Sequence, residues 1–227
     1  VNIIDIGGES TRPGFKAISE EEELSRVIPI IKSIRDANLN VPLSIDTTKA
    51  TVAAKALEAG VDFVNDISAM ISDTNMVNVV KINNAPVCLM HSEPMATDSS
   101  NLPRYENVLL DVYDFLADRL KDTDLLGIPR SKIVVDPGIG FGKTMEHNLI
   151  LLNGLSLFHS LGCPVLLGAS RKRFIGTITG EAEPKKRLAG SIAVSLEGLR
   201  QGVQILRVHD IVGNCQATKM WKAMNCD

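Results

Sequence analysis

Two basic side chains close the last apolar run of this chain. The run QILRVHD places Arg207 and His209 two residues apart, and on a strand this spacing would aim both side chains at the same face. A guanidinium matches phosphate oxygens with its paired N–H groups, and an imidazole adds a second donor that titrates near neutral pH. The pair therefore predicts a site for a phosphate or pyrophosphate group.

Polar residues that follow other apolar runs could bind a heterocycle. Asp46, Asn65 and Asp136 each end a different run. A carboxylate can accept paired N–H bonds from an amidine-like edge, and an asparagine offers both a donor and an acceptor. Each residue alone could equally be a helix N-cap, so only their convergence favours a binding site. Lys172 follows a further run and could contact a ring carbonyl or ring nitrogen.

Two glycine-rich segments come close to catalytic motifs without matching them. Residues 137–144 read PGIGFGKT, but Pro137 stands where a phosphate-binding P-loop needs a glycine. This segment is interpreted as a loop in which Phe141 is available to a flat ligand. Residues 7–14 read GGESTRPG, and Arg12 stands where the esterase motif GxSxG needs a glycine. That segment is either a loop that closes over a substrate or a plain connection between strand and helix.

The elements that must position these residues alternate between strands and helices. One helix is predicted to start at a capping box formed by Ser19 and Glu22. Others are predicted to end at the glycines Gly60, Gly127 and Gly202. The predicted strands are residues 1–6, 41–46, 61–66, 85–91, 132–136, 163–168 and 203–209.

Repeated units of strand and helix imply a parallel sheet that is either open or closed into a barrel. Polar residues at almost every strand end favour the closed form, because a barrel gathers its active site from many strands. The predicted fold is therefore α/β, a (β/α)₈ TIM barrel. The strand count falls one short of eight, and the chain starts in a strand without an initiator Met. We therefore expect the first βα unit to lie upstream of this chain.

Composition limits the classes of function. The chain has 227 residues, a net charge of -3 and no linker or repeat, which predicts one domain over residues 1–227. This charge gives no general reason to bind nucleic acid or an anionic membrane. The sequence contains neither a membrane-length apolar run nor a signal segment, so a cytoplasmic protein, or one of an organelle matrix, is expected. Four widely spaced cysteines predict thiols rather than a disulfide framework or a zinc site.

The motifs and their order resemble the dihydropteroate synthases, folate-pathway enzymes of the pterin-binding TIM-barrel family. The matching segments run along the whole chain: IDIGGESTRPG, SIDTTKA, FVNDIS, LMH, VDPGIGFGKT, LLGASRKRFIG and LRVHD. The lack of insertions resembles the bacterial monofunctional enzymes. The resemblance implies that 7,8-dihydropterin-6-ylmethyl diphosphate and p-aminobenzoate condense to 7,8-dihydropteroate and pyrophosphate. It further implies Mg²⁺ as cofactor, a homodimer and a sulfonamide target.

The resemblance also implies roles for individual residues. It implies that the pterin is bound by Asp46, Asn65, Met90, Asp136, Phe141, Gly168, Lys172 and Arg207. It implies that the diphosphate is bound by Thr11, Arg207 and His209. It implies that p-aminobenzoate is bound by Thr11, Arg12, Pro13, Phe141 and Lys172. The catalytic residues would be Lys172, Arg207 and His209. The family's Asn that helps bind Mg²⁺ lies in a segment absent from this chain, so no metal ligand is assigned.

Two alternatives stay open. A pterin-binding methyltransferase, which passes a methyl group from methyltetrahydrofolate to a corrinoid, would share the barrel and the pterin carboxylates. It has no diphosphate to hold, so Arg207, His209 and the STRPG segment argue against it. A catalytically inactive pterin-binding barrel would have lost these leaving-group residues, which this chain retains.

Overall fold

The computed structural model describes residues 1–10, 16–93 and 104–225, in which strands and helices alternate. The strands are β1 (Ile4–Gly7), β2 (Leu43–Asp46), β3 (Phe63–Asp66), β4 (Val87–Met90), β5 (Ile133–Asp136), β6 (Leu166–Leu167) and β7 (Ile205–Leu206). The helices are α1 (Glu20–Asp36), α2 (Ala50–Glu58), α3 (Met76–Ile82), α4 (Val108–Leu125), α5 (Met145–Asn153), α6 (Arg173–Thr179), α7 (Leu188–Arg200) and α8 (Ile211–Asn225). All seven predicted strands are confirmed, each shorter than its apolar run.

The strands pair in parallel. β1 to β5 form one sheet in chain order, and β6 pairs with β7 in a second. β4 and β5 are buried at every position, as expected of strands covered on both faces. The predicted α/β architecture is therefore confirmed, although the strands of the described residues do not close into a ring.

The chain divides into two compact units. The first consists of Val1–Met90 and Asp118–Val134, and the second of His91–Ala117 and Val135–Asp227. Each unit has a core of fully buried apolar side chains, whose removal from water stabilises the fold. They include Ile31, Leu43, Ile45 and Leu89 in the first unit and Ile139, Leu151 and Phe158 in the second. The prediction of one domain over residues 1–227 stays a prediction.

Helix ends follow local capping chemistry. The Ser19 side chain accepts the backbone N–H of Glu22 over 3.2 Å at the start of α1. The Glu22 carboxylate pairs instead with Arg26, so one half of the predicted capping box forms. The predicted C-terminal glycines all adopt the left-handed conformation that favours glycine, namely Gly60 (φ +107°), Gly127 (φ +78°) and Gly202 (φ +86°).

The three cysteines that the structure describes form no disulfide. Cys88 and Cys163 are buried, and Cys215 is exposed. This confirms the prediction of thiols for these three, whereas Cys226 lies outside the described residues. Over the same ranges, no helix combines the length and apolar character needed to cross a membrane.

Candidate functional site

The first unit brings polar strand residues onto one face of its sheet. Asp46 ends β2 and pairs in register with Asn65 of β3, so both side chains point to the same face. The Asn65 Nδ2 donates to Asp5 Oδ2 of β1 over 3.4 Å. A Cβ added at Gly7 would lie 3.3 Å from the Cβ of Asp46. Met90, the third residue of this unit predicted to bind the pterin, is the buried last residue of β4.

Asp136 is a buried carboxylate at the end of β5, in the second unit. Its Oδ1 accepts the backbone N–H of Gly138 over 2.7 Å. Burial raises the pKa of Asp136, and this rise is opposed chiefly by the charge of Lys172 and further by the Gly138 bond, Arg207 and Lys143. Water competes little for a buried acceptor, so this carboxylate can bind the N–H groups of a ligand strongly.

The loop after β5 depends on its glycines. Gly138, Gly140 and Gly142 have φ of +70°, +81° and +60°. A Cβ added at Gly138 would lie 1.8 Å from the carbonyl oxygen of His91, and one at Gly140 would lie 2.8 Å from Cδ of Lys172. Only glycine combines this backbone conformation with such close approach. The predicted glycine-permitted loop is confirmed.

Lys172 reaches this loop from the N-cap position of α6. Its Nζ donates to the carbonyl oxygen of Ile139 and lies 4.3 Å from the centroid of the Phe141 ring. The second contact is a cation–π interaction. The structure therefore brings together Lys172, Phe141 and Asp136, three of the residues predicted to bind the pterin.

Gly168 lies close to both Asp136 and Arg207. A Cβ added at Gly168 would lie 3.8 Å from Asp136 Oδ2 and 4.0 Å from the Cβ of Arg207. The backbone N–H of Arg207 donates to the carbonyl of Leu167 over 3.0 Å, which fixes the start of the Arg207 side chain. A flat heterocycle can donate N–H bonds to the carboxylate and stack on the guanidinium plane of such a site.

Arg207 and His209 lie beyond the end of β7, so the prediction that one strand aims both side chains is wrong. β7 contains only Ile205–Leu206, and its pairing with β6 stops at Leu167. His209 is held instead by Ser170, whose Oγ lies 3.3 Å from the His209 backbone nitrogen and 3.1 Å from Nδ1. Both predicted side chains are exposed, which suits a solvated anion.

Lys143 is a residue of this site that the sequence reasoning missed. Its Nζ lies 2.9 Å from His91 Nδ1 and 2.9 Å from the carbonyl oxygen of Phe141. Burial lowers the pKa of Lys143 to about 7; the negative charge of Asp136 raises this pKa, and the positive charge of Lys172 lowers it further. Burial also lowers the pKa of His91 to about 3, so the imidazole is neutral and can accept from the ammonium. The signal in the sequence was the position of Lys143 in PGIGFGKT. That motif was rejected as a P-loop because of Pro137, and no other role was assigned to its lysine.

Three predicted residues, Thr11, Arg12 and Pro13, lie outside the described residues, and their roles stay predictions. The segment before them is anchored in the first unit. The ammonium of Lys49 pairs with Glu9 and, over 2.6 Å, with the buried Glu23.

A protein metal centre is not found among residues 1–10, 16–93 and 104–225. These ranges contain no group of three or more His, Cys, Asp or Glu side chains that could hold a metal ion. The described residues therefore do not fit a Mg²⁺ site built from protein ligands alone.

Comparison with known proteins identifies relatives over almost the whole chain. The family model described as pterin binding enzyme matches residues 1–209. The dihydropteroate synthase of Clostridium beijerinckii is 42% identical over 220 residues, which cover 96% of this chain and 78% of the relative. The dihydropteroate synthase of Bacillus subtilis is 43% identical over 223 residues, which cover 98% of this chain and 75% of the relative.

Solved structures agree with the sequence relatives. A Xanthomonas albilineans dihydropteroate synthase with 4-aminobenzoic acid has a TM-score of 0.93 and 40% identity, covering 100% of this chain and 80% of that one. The same organism's enzyme in complex with 7,8-dihydropteroate has a TM-score of 0.89 and 37% identity, with the same coverage. Together with the alternating parallel strands and helices, this similarity confirms the predicted TIM-barrel class.

Proposed function

The chain belongs to the family of pterin-binding enzymes, and we propose how its residues carry out the reaction of the dihydropteroate synthases. The protein is a transferase of folate biosynthesis. It condenses 7,8-dihydropterin-6-ylmethyl diphosphate with p-aminobenzoate and releases pyrophosphate. Its relatives are dihydropteroate synthases, which favours this reaction over that of a methyltransferase.

The observation that carries the residue roles is the buried Asp136 carboxylate, with Lys172 opposing the rise in its pKa. In this proposal Asp136 accepts N–H bonds from the amidine edge of the pterin, while Lys172 donates to a ring oxygen or nitrogen. Phe141 contributes an aromatic face, and Gly168 presents no side chain to the ring. The guanidinium of Arg207 stacks on that ring.

In the first unit, Asp46 and Asn65 are proposed as further pterin-binding residues, with Met90 as an apolar one. Asp46 and Asn65 share one sheet face through their register. A carboxylate and an amide side by side offer the acceptors and donors that an aminopyrimidine edge requires. The resemblance of SIDTTKA, FVNDIS and LMH to the family supports these assignments.

The chemical step forms a carbon–nitrogen bond. The amine lone pair of p-aminobenzoate attacks the methylene carbon of the dihydropterin, and the carbon–oxygen bond to the diphosphate breaks. The electron pair of that bond leaves with the diphosphate, and the amine loses a proton. We propose that Arg207 and His209 stabilise the negative charge that develops on the leaving group. Thr11 is proposed as a third diphosphate ligand.

For p-aminobenzoate we propose Thr11, Arg12 and Pro13 together with Phe141 and Lys172. A Yersinia pestis dihydropteroate synthase is solved as a sulfonamide drug complex, with a TM-score of 0.92 and 36% identity over 98% of this chain and 80% of that one. Sulfonamides are therefore proposed to bind this protein as well. Mg²⁺, a homodimer and a cytoplasmic location are proposed on the family resemblance alone, and light scattering of the purified protein tests the dimer.

A turnover assay tests these roles directly. Pyrophosphate release is followed with dihydropterin diphosphate and p-aminobenzoate, for the wild type and for Lys172→Met. We expect the variant to lose at least tenfold in kcat/KM, because a charged donor to the ring is removed. Lys186→Met is the matched control, since Lys186 is an exposed lysine paired with Glu183. Equal turnover by Lys172→Met and by the control would refute the role of Lys172.

A further inference from the structure

Arg187 is a buried cation of the second unit whose hydrogen bonds go to backbone carbonyls. It follows the Pro184–Lys186 turn and immediately precedes α7, and it is 9% exposed. Its Nη1 donates to the carbonyls of Arg171 over 3.0 Å and Lys172 over 3.3 Å. Its Nε donates to Glu181 over 2.9 Å and its Nη2 to Ala182 over 2.5 Å. The guanidinium therefore joins the segment before α6 to the segment after it.

The fold makes room for this guanidinium at a considerable cost. Burying a charge is expensive unless it is well paired, and within the described chain no carboxylate forms an ion pair with Arg187. Gly176, inside α6, is a glycine in a helix interior, which is itself unfavourable. A Cβ there would lie 2.6 Å from Cζ and 2.6 Å from Nε of Arg187, and 2.6 Å from the Glu181 carbonyl oxygen that Arg187 binds. The buried charge of Arg187 and the glycine inside α6 are both unfavourable, and both are needed for the guanidinium to occupy this position.

The segment that Arg187 binds has a strained backbone. Arg171 has φ of +60° without being a glycine, a conformation that the surrounding structure must impose. Its backbone N–H donates to Ser191 Oγ of α7 over 3.0 Å, and its carbonyl accepts from Arg187. The Arg171 side chain pairs with Asp210, next to His209. Ser191 and Arg187, at the start of α7, therefore bind the backbone N–H and the carbonyl of Arg171, respectively.

The turn at 170–172 carries side chains of the proposed site. Ser170 bonds His209, and Lys172 reaches the carbonyl of Ile139 and the ring of Phe141. Because Arg187 binds the carbonyl of Lys172 itself, it fixes the point from which that side chain extends. We propose that Arg187 is a positioning residue for the condensation, acting through the backbone of residues 171–172 to aim Lys172 at the pterin. This inference rests on the proposed role of Lys172.

A double-mutant cycle tests the inference. The dissociation constant of dihydropterin diphosphate is measured by calorimetry, without p-aminobenzoate, for Arg187→Met, Lys172→Met, the double variant and the wild type of the full-length protein. We expect Arg187→Met to weaken binding about tenfold in the wild-type background and less than twofold in the Lys172→Met background, as for coupled neighbours. Arg187→Lys should rescue only part of the loss, because an ammonium lacks the planar fork that reaches both segments.

A matched control separates positioning from general stability. Arg35 in the first unit also donates to backbone carbonyls, those of Leu39, Val41 and Gly60. Arg35→Met should lower the midpoint of thermal unfolding but leave the dissociation constant unchanged. If Arg187→Met does not fold, Gly176→Ala displaces the same guanidinium, together with the Glu181 carbonyl that accepts from it, and should weaken binding in the same direction. That weakening should appear although alanine is the better helix former.

The positioning role of Arg187 can be refuted by several results. Equal effects of Arg187→Met in both backgrounds, or unchanged binding in Gly176→Ala and Arg187→Met, would overturn the positioning role alone. Weakened binding in Arg35→Met equal to that in Arg187→Met would overturn it as well. Wild-type affinity in Lys172→Met would overturn the proposed role of Lys172 itself, and with it the inference.

Discussion

Replacing Asp136 by Asn should separate pterin binding from the stability of the fold. The carboxylate Oδ1 accepts the Gly138 N–H over 2.7 Å, and an Asn carbonyl oxygen can keep this bond. The other oxygen, Oδ2, lies toward Gly168, 3.8 Å from the position of a Cβ added there. Asn would place an N–H₂ group there, so a donor would face the donors of the pterin edge.

The size of the effect follows from the kind of bond that is lost. Hydrogen bonds to a charged acceptor contribute about 1.5–3 kcal/mol, and a buried donor left without an acceptor adds to the loss. Asp136 is 5% exposed, so water replaces little of the missing interaction. We expect Asp136→Asn to weaken pterin binding by about 2–3 kcal/mol, which is roughly 30- to 150-fold in the dissociation constant.

Calorimetry with a dihydropterin ligand measures this change. Asp66→Asn is the matched control, because Asp66 is a buried aspartate of the first unit that accepts the backbone N–H groups of Ser68 and Met70. The control should change the free energy of unfolding while its dissociation constant stays within twofold of the wild type. An Asp136→Asn protein that binds the pterin as tightly as the wild type would refute the assignment of Asp136.

Three further predictions concern single side chains. Unfolding restores the usual pKa of Lys143, from about 7 to 10.5, so the unfolded chain takes up a proton between these pH values and stability should rise with pH there. Lys143→Met should remove this rise in stability, which is measured as the free energy of unfolding in urea at pH 7 and at pH 10. The same rise between these pH values in the wild type and in the variant would contradict the prediction. His209→Ala should weaken pyrophosphate binding roughly tenfold, as for one charge-assisted bond, with pterin binding nearly unchanged; calorimetry with pyrophosphate alone decides this. Thr144→Ala should destabilise the protein by about 1 kcal/mol, because the hydroxyl caps α5 by accepting the His147 N–H over 3.2 Å. Unchanged urea denaturation of that variant would show that the cap contributes nothing.

The sequence predicted best those features of the fold that depend on neighbouring residues in the chain. Apolar runs predicted every strand that the structure describes, because burial on both faces requires continuous apolar side chains. Gly60, Gly127 and Gly202 were predicted as helix ends, because a left-handed residue is needed there and glycine adopts it without strain. The motifs that carry the family resemblance, including VDPGIGFGKT and LRVHD, are likewise short segments of chain.

Strand ends and side-chain contacts were harder to predict from the sequence. The run that ends in Arg207 and His209 looks continuous, yet the pairing of β7 with β6 ends at Leu206 and Leu167. The His147 side chain accepts the Thr144 backbone N–H and completes a capping box, a role usually filled by Glu or Gln at that position. Both outcomes depend on which groups remain available as partners in the folded chain.

Local sequence patterns were thus enough to predict the alternation of strands and helices, the polar strand ends and the family. The surroundings of the cations in the second unit depend on contacts that only the folded chain makes. Lys143 bonds His91 although 52 residues separate them, and burial there brings its pKa to about 7. Arg187 holds the backbone of Arg171 and Lys172 from the start of another helix. Periodicity and capping act over a few residues, whereas burial and hydrogen-bond partners are set by groups distant in the chain, so only the folded structure reveals them.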